Sequence, residues 1–200
     1  MHTLGGRVRN PVRLRGELYE PTAHQSLVSI TEAGLAADDA IIDVGAGASV
    51  LVDQLLQAGY SDVTTLDVAG DALAVSRERL GTDADRVDWI VGDVLTWQPT
   101  RRFQLWHDRA VFHFLTNPAD RDRYRQVLQR ALAPDGHVVI GAFAEDGPPQ
   151  CSGLPTARHT IDQLAAQFPG FHLVKAVRNE HHTPAGGVQS FNWVLLTERP

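Results

Sequence analysis

Two glycines and two polar residues form the most distinctive pattern in the chain, the spacing Asp43-x-Gly45-x-Gly47-x-Ser49 directly after the apolar residues 40–42. Glycines let backbone amides approach a ligand closely, and a helix that begins after such a turn directs the positive end of its dipole toward the ligand. Ser49 is placed to cap that helix and Gly59 to end it. The pattern therefore predicts a site for a nucleotide-like cofactor at the end of a buried strand.

The residue after Ser49 argues against a dinucleotide as that cofactor. A dinucleotide fingerprint has a third glycine three residues after the second, so that the helix packs closely against the strand. Here that position is Val50. A nicotinamide-dependent enzyme therefore ranks last among the hypotheses.

Two further carboxylates follow predicted strands. Asp67 comes directly after residues 63–66, and Asp93 comes shortly after residues 87–91. A carboxylate can accept hydrogen bonds from both hydroxyls of a ribose, and the carboxyl ends of parallel strands meet at one edge of a sheet. Each acid alone would be more typical of a turn or a helix cap than of a ligand site, but with Asp43 the three together predict an adenosyl ligand.

Several segments resemble a known family. Residues 43–49 resemble the first motif of the class I S-adenosylmethionine (SAM) methyltransferases, with Ser49 where a third glycine is usual. Residues 106–116 (WHDRAVFHFLT), 151–155 (CSGLP) and 182–191 resemble a bacterial group of small methyltransferases whose substrates are largely unassigned. The resemblance implies SAM as the cofactor, with Asp67 at the ribose and Asp93 and Val94 at the adenine. The cofactor-binding set that it implies is Asp43, Gly45, Ala46, Gly47, Asp67, Val68, Asp93, Val94 and Asp108.

The polar group at the end of the fourth predicted strand would then lie beside the methyl group. Methyl transfer to an amine or hydroxyl requires removal of a proton, and Asp108 or His113 could be the base, whereas a thiolate needs none. Asp108 could instead cap a helix or hold the ammonium group of the cofactor. His113 could be a histidine hydrogen-bonded at the start of a helix, and Arg109 could pair with an acidic substrate group or with a nearby aspartate.

Two later segments are candidates for contact with the substrate. The loop after the fifth strand contains Cys151 and is a natural lid, because loops on this side of such a sheet lie over the ligand. The last hairpin contains His182 and Gln189, so the predicted substrate residues are Arg109, Cys151, His182 and Gln189. We predict no metal, because the histidines lack a tight ligand spacing.

The elements that must position these residues alternate between strand and helix. We predict an α/β, Rossmann-like, doubly wound sheet of seven mainly parallel strands with a C-terminal antiparallel hairpin. The predicted strands are residues 40–44, 63–66, 87–91, 103–107, 137–143, 171–177 and 190–197. The predicted helices are residues 22–36, 50–58, 71–80, 120–132 and 160–168.

The overall composition limits the function. The chain has 200 residues, 43% of them hydrophobic, which predicts one domain with an N-terminal helical cap segment (1–38) and a Rossmann-like core (39–200). A net charge of −6 argues against nucleic acid or an anionic membrane as a partner. The single cysteine and the lack of a long apolar run predict a cytoplasmic protein.

These observations lead to two hypotheses. The first is direct methyl transfer from SAM to a small-molecule or protein nucleophile of the lysine or thiol type. The second is a protein that binds SAM or S-adenosylhomocysteine (SAH) as a structural or regulatory ligand without catalysis. The sequence does not predict the oligomeric state.

Overall fold

The computed structural model describes residues 21–183 and 186–198, which form a seven-stranded sheet flanked by helices. The main strands are β1 (Ile41–Val44), β2 (Val63–Asp67), β3 (Val87–Val91), β4 (Phe103–Arg109), β5 (Leu132–Phe143), β8 (Phe171–His182) and β9 (Val188–Glu198); β6 (Gln150–Cys151) and β7 (Leu154–Pro155) form a separate small hairpin. The helices are α1 (His24–Glu32), α2 (Leu51–Gln57), α3 (Gly70–Leu80), α4 (Pro118–Ala131) and α5 (Ile161–Ala165).

The strand order in the sheet is β3-β2-β1-β4-β5-β9-β8. The first five strands are parallel, whereas β9 runs antiparallel to β5 and to β8. The predicted fold class is therefore confirmed, including the C-terminal antiparallel hairpin. Because the chain moves outward from β1 to β3 and then returns to place β4 beside β1, the order reverses between β1 and β4. Open α/β sheets bind ligands at this kind of switch point.

Alternation along the strands divides the core into two apolar clusters. Ile42 and Val44 belong to the cluster that includes α4 and α5, whereas Ile41 belongs to the cluster with α1 and α2. Successive side chains of a strand point to opposite faces, so the sheet is covered on both sides. Burial on both faces keeps the strand ends, where the site lies, in fixed positions.

Helix α4 shows how the sequence specifies local structure. Asn117 caps it by accepting a hydrogen bond from the Ala119 N–H, and Pro118 occupies its first position, where no N–H is needed. Its buried residues are Tyr124, Val127, Leu128 and Ala131. This spacing places them on one helical stripe, and Tyr124 is the polar member of that stripe.

Several element boundaries differ from the predictions. Strand β4 continues to Arg109 because it pairs with β1 on one side and β5 on the other, so that Asp108 lies on a strand and not at a helix start. Strand β5 begins at Leu132 instead of His137. Strand β8 continues to His182 because its backbone pairs with β9 as far as Val188, whether the side chains are polar or apolar. Helix α5 ends at Ala165 instead of Phe168.

The start of α2 differs slightly from the prediction, and only part of the N-terminal segment lies within the described residues. Val50 is the N-cap of α2, while the hydroxyl of Ser49 accepts a hydrogen bond from the Leu51 N–H. Of the predicted cap segment 1–38, residues 1–20 lie outside the described residues, as does Pro184 in the last hairpin. None of the helices in the described part of the chain has both the length and the apolar character needed to cross a bilayer.

Candidate active site

A cleft of about 280 Å³ opens at the switch point between β1 and β4. Apolar side chains make up much of its wall, including Val111, Phe114, Leu115 and Leu154. Six predicted site residues also line it: Gly45, Asp67, Val68, Asp93, Val94 and Arg109. The remaining predicted residues, Asp43, Ala46, Gly47, Asp108, His113, Cys151, His182 and Gln189, are not part of this wall.

The glycine turn after β1 adopts a conformation that suits glycine. Gly45 has φ +71° and Gly47 has φ +50°, both in the left-handed region. A Cβ atom at Gly45 would lie 2.0 Å from Cγ2 of Val111, which is closer than packed atoms allow. The absence of a side chain at this position is therefore what lets the turn and the Val111 wall of the cleft approach each other.

Asp67 ties the glycine turn to the end of β2. Its Oδ2 accepts a hydrogen bond from the Gly47 N–H at 2.8 Å, and its Oδ1 accepts one from the Ala69 N–H at 2.7 Å. An ionised carboxylate has about four acceptor positions, so each oxygen keeps capacity for a further donor. Burial raises the pKa of Asp67, and the two backbone hydrogen bonds oppose that rise. The carboxylate can thus organise the turn and accept hydrogen bonds from a ligand.

The outer end of the cleft combines Asp93 with apolar side chains. The Asp93 Oδ1 accepts a hydrogen bond from the Leu95 N–H at 2.9 Å, which fixes the loop after β3. Val94 is buried, whereas 40% of Val68 and 64% of Val91 is exposed. A flat apolar ring system could pack here beside a carboxylate acceptor.

Asp43 forms a buried pair below the glycine turn. Its Oδ1 lies 2.7 Å from Nδ1 of His107 on β4, and both side chains are almost fully buried. The register of β1 and β4 sets Asp43 directly beside His107. Asp43 therefore supports the turn from beneath, in contact with a histidine for which the sequence indicated no role.

Asp108 is fully buried and surrounded by donors. Its Oδ1 accepts hydrogen bonds from the N–H groups of Val111 and Phe112, at 2.9 and 3.3 Å, and its Oδ2 accepts one from the Tyr124 hydroxyl at 2.5 Å. The Trp106 indole N–H donates in turn to the Tyr124 hydroxyl at 2.8 Å. Sequence reasoning missed Tyr124 and Trp106; the polar member of the buried α4 stripe was the available signal.

His113 is buried among aromatic rings. Its ring centroid lies 4.2 Å from that of Phe143 and 4.5 Å from that of Phe114. Within the described residues neither ring nitrogen has a hydrogen-bond partner. Burial, with smaller contributions from the charge of Arg109 and from His159, lowers the pKa of His113 to about 3. The imidazole is therefore neutral near pH 7.

The buried environment of His113 should lower the stability of the folded protein in acid. The pKa of His113 is lowered on folding, so the unfolded chain binds an extra proton between about pH 6.5 and pH 3, and stability falls as the pH falls through that window. We expect His113 to account for about 2 kcal/mol of the free energy of unfolding that is lost between pH 7 and pH 5. Urea denaturation of His113→Phe at the two pH values should show a correspondingly smaller loss.

His172→Gln is the control for this experiment. His172 is exposed on β8, so its removal should leave the acid sensitivity of the parent unchanged. An equal loss of stability in the parent and His113→Phe would show that the histidine does not stay neutral inside the aromatic cluster.

The four predicted substrate residues lie in different surroundings. Arg109 is half-buried in the cleft wall, with its guanidinium carbon 5.2 Å from the centroid of the Phe191 ring. Cys151 and Gln189 are buried, whereas His182 is exposed at the end of β8. Leu154, from the same β6–β7 hairpin as Cys151, does reach the cleft. Across residues 21–183 and 186–198, no three His, Cys, Asp or Glu side chains are grouped as metal ligands would be.

Comparison with known proteins shows what the sheet and its central segment are similar to. Residues 41–136, which include β1 to β4 and the start of β5, match the model of a methyltransferase domain. The solved structure of the N-methyltransferase NodS from Bradyrhizobium japonicum WM9, in complex with SAH, superimposes with a TM-score of 0.68 at 17% identity, covering 88% of this chain and 85% of NodS. Residues 41–136 thus resemble a methyltransferase domain, and the sheet has the fold of solved SAM-dependent methyltransferases.

Curated relatives align with more than half of this chain at modest identity. Nodulation protein S of Rhizobium tropici is 28% identical over 159 residues, which are 80% of this chain and 65% of that protein. Thiocyanate methyltransferase 1 of Arabidopsis thaliana is 28% identical over 128 residues, which are 61% of this chain and 54% of that protein. The alignments thus span somewhat more than half of the length of these relatives.

Proposed function

We propose that the protein transfers a methyl group from SAM directly to a small-molecule nucleophile. The observation that carries this proposal is the cleft between β1 and β4, where a glycine turn, the carboxylates of Asp67 and Asp93 and an apolar wall come together. When bound, SAM would supply a methyl group on a positively charged sulfur. The residues present fit this cofactor, because the glycine turn at positive φ lies against the cleft wall at Val111 and the acids lie at neighbouring strand ends.

The sheet order supports a division of the cleft into two ends. Adjacent strands lie about 4.8 Å apart, so Asp67 on β2 is about 10 Å and Asp93 after β3 about 14 Å from the line of β4. Asp67 would accept hydrogen bonds from the ribose hydroxyls. Asp93 and the Val94 N–H would contact the adenine, with Val68 against its ring. The end of β4 then remains for the methyl acceptor.

The wall at the β4 end would orient the acceptor and exclude water. Direct displacement requires the nucleophile, the methyl carbon and the sulfur to lie in line, and enclosure by apolar side chains such as Val111 and Phe114 favours that alignment over hydrolysis. Arg109 lies in this wall, so we retain it as a residue that contacts the methyl acceptor. Leu154 places the β6–β7 hairpin at the mouth, consistent with a lid.

The environments of the two predicted bases favour supporting roles. A base with a pKa of about 3 accepts a proton poorly at neutral pH, and His113 is also absent from the cleft wall. Both oxygens of Asp108 are already engaged by three donors. We therefore assign His113 to packing and Asp108 to the support of the cleft wall, and we expect no proton transfer through either.

The names of the relatives include a small acceptor and protein acceptors, so the preference for a small acceptor rests on the cleft. The Arabidopsis relative is named for thiocyanate, which is a small molecule, and NodS is named as an N-methyltransferase. A narrow cleft partly covered by a hairpin suits such an acceptor better than a folded protein surface. Protein methylation remains an outcome of the experiment below.

Calorimetry and isotope transfer test the proposal in two steps. Titration with SAH should show binding to one site, and SAM carrying a labelled methyl group should release label into the small-molecule fraction of a lysate. Label in the protein fraction alone would replace the small acceptor with a protein. Tight binding without any transfer would favour the non-catalytic hypothesis, and no binding would remove both.

A further inference from the structure

A chain of hydrogen bonds connects the core of α4 to the wall of the cofactor cleft. The indole N–H of Trp106 donates to the Tyr124 hydroxyl, and that hydroxyl donates to Oδ2 of Asp108. The other oxygen of Asp108 accepts from the backbone N–H groups of Val111 and Phe112. The side chains of Trp106, Tyr124 and Asp108 are all fully buried. The aspartate thus joins a tyrosine in the core to the turn formed by residues 109–112.

This turn depends on such support. Ala110 has φ +70°, a left-handed conformation that is unfavourable for a residue with a side chain. The next residue, Val111, lines the cleft and lies against Gly45 of the cofactor turn. A change in the hydrogen bonds of Asp108 would therefore move a side chain that shapes the cofactor site.

We propose that Tyr124 is a positioning residue for the cofactor cleft: its hydroxyl favours the ionised form of Asp108, and ionised Asp108 holds the turn 109–112 in the shape that binds the cofactor. The inference rests on the proposed function, because it concerns the binding of SAM or SAH to the same cleft. It assigns a role in cofactor binding to a helix that does not line the cleft.

The hydrogen-bond pattern explains why the charge of Asp108 matters. Among residues 21–183 and 186–198, three donors face the carboxylate and no acceptor does. A proton on Oδ1 would compete with the amides of Val111 and Phe112, whereas a proton on Oδ2 would turn the Tyr124 hydroxyl hydrogen away. Because the Trp106 N–H already occupies one lone pair of that hydroxyl, the hydrogen has little freedom to reorient. Protonation therefore leaves one buried donor without a partner, which is costly.

In the part of the chain that the structure describes, few charged or titratable groups surround Asp108. Tyr124 faces it from α4 and His107 is its neighbour on β4, while the paired residues on the adjacent strands, Val44 and Ile140, are apolar. Burial raises the pKa of Asp108 to about 6, and the Tyr124 hydrogen bond is the strongest influence in the opposite direction. Ionisation is thus complete above neutral pH and is lost in mildly acidic solution.

The test measures SAH affinity by calorimetry from pH 5 to pH 8.5 in the parent, Tyr124→Phe, Tyr60→Phe and Asp108→Asn. We expect the parent affinity to fall about tenfold between pH 7 and pH 5. In Tyr124→Phe the fall should begin at higher pH, with affinity about 2- to 10-fold weaker at pH 7 and close to the parent value at pH 8.5. Tyr60→Phe removes a hydroxyl from a half-buried tyrosine between α2 and β2 and should match the parent throughout.

Asp108→Asn keeps an oxygen acceptor for the turn but cannot ionise, so its affinity should fall less than that of the parent between pH 7 and pH 5. This variant also decides the question if Tyr124→Phe fails to fold. Equal weakening of Tyr124→Phe at every pH, or an equal acid dependence in the parent and Asp108→Asn, would overturn the inference while leaving the proposed function intact. A parent that binds no SAH at any pH would instead remove the proposed function.

Discussion

Replacing Asp67 with alanine should weaken SAH binding about 5- to 150-fold, the equivalent of about 1–3 kcal/mol for the loss of a charged hydrogen-bond acceptor. The carboxylate is expected to accept hydrogen bonds from the ribose, and it also holds the Gly47 N–H of the glycine turn. Both effects act in the same direction. Isothermal titration at pH 7.5 measures the change directly, and urea denaturation shows how much of it reflects the stability of the turn.

Asp71→Ala is the matched control for Asp67→Ala. Asp71 is an exposed carboxylate in the first turn of α3, four residues from Asp67, and its removal changes the net charge by the same amount. The control should bind SAH as the parent does. If Asp67→Ala also binds normally, Asp67 is a turn residue and the adenosyl site must be sought elsewhere.

Gly45→Ala should destabilise the protein by about 2–5 kcal/mol and abolish detectable SAH binding. About 1–2 kcal/mol of this loss comes from an alanine at φ +71°, and about 1–3 kcal/mol comes from the overlap of its Cβ with Val111. Relief of that overlap would push Val111 into the cleft or distort the glycine turn. Urea denaturation and calorimetric titration report the two effects separately.

Two companion variants separate strain from overlap. Gly34 has a nearly identical φ of +72°, but nothing lies within 4 Å of the position that a Cβ atom would take there, so Gly34→Ala should lose only the conformational part. In Gly45→Ala/Val111→Ala the atom at 2.0 Å is gone and the remaining Val111 Cβ lies at 3.5 Å, which is ordinary contact. Stability should therefore partly recover in the double variant. Equal destabilisation in Gly34→Ala and Gly45→Ala would contradict the steric account.

Local sequence patterns were sufficient for the fold class and most elements. Strand β3 has the predicted boundaries, and the order of strands and helices is as predicted, because alternation and helical spacing are local consequences of burial. The boundaries that differ depend on distant partners. Asp108 belongs to a strand because β1 and β5 extend beside it, and His182 belongs to a strand because β9 pairs with it.

The candidate site also combines features that a short segment of sequence shows with features that depend on distant partners. The sequence by itself determined the glycine turn and the carboxylates at the end of β2 and after β3, since glycine freedom and an acid at the end of a buried strand are visible in a short segment. Only the tertiary structure decided the directions of Asp43, Asp108 and His113, which meet His107, Tyr124 and the aromatic cluster instead of the cleft wall. The physical reason is that a polar side chain takes the partner that satisfies its hydrogen bonds or its burial, and those partners come from strands and helices far away in the chain.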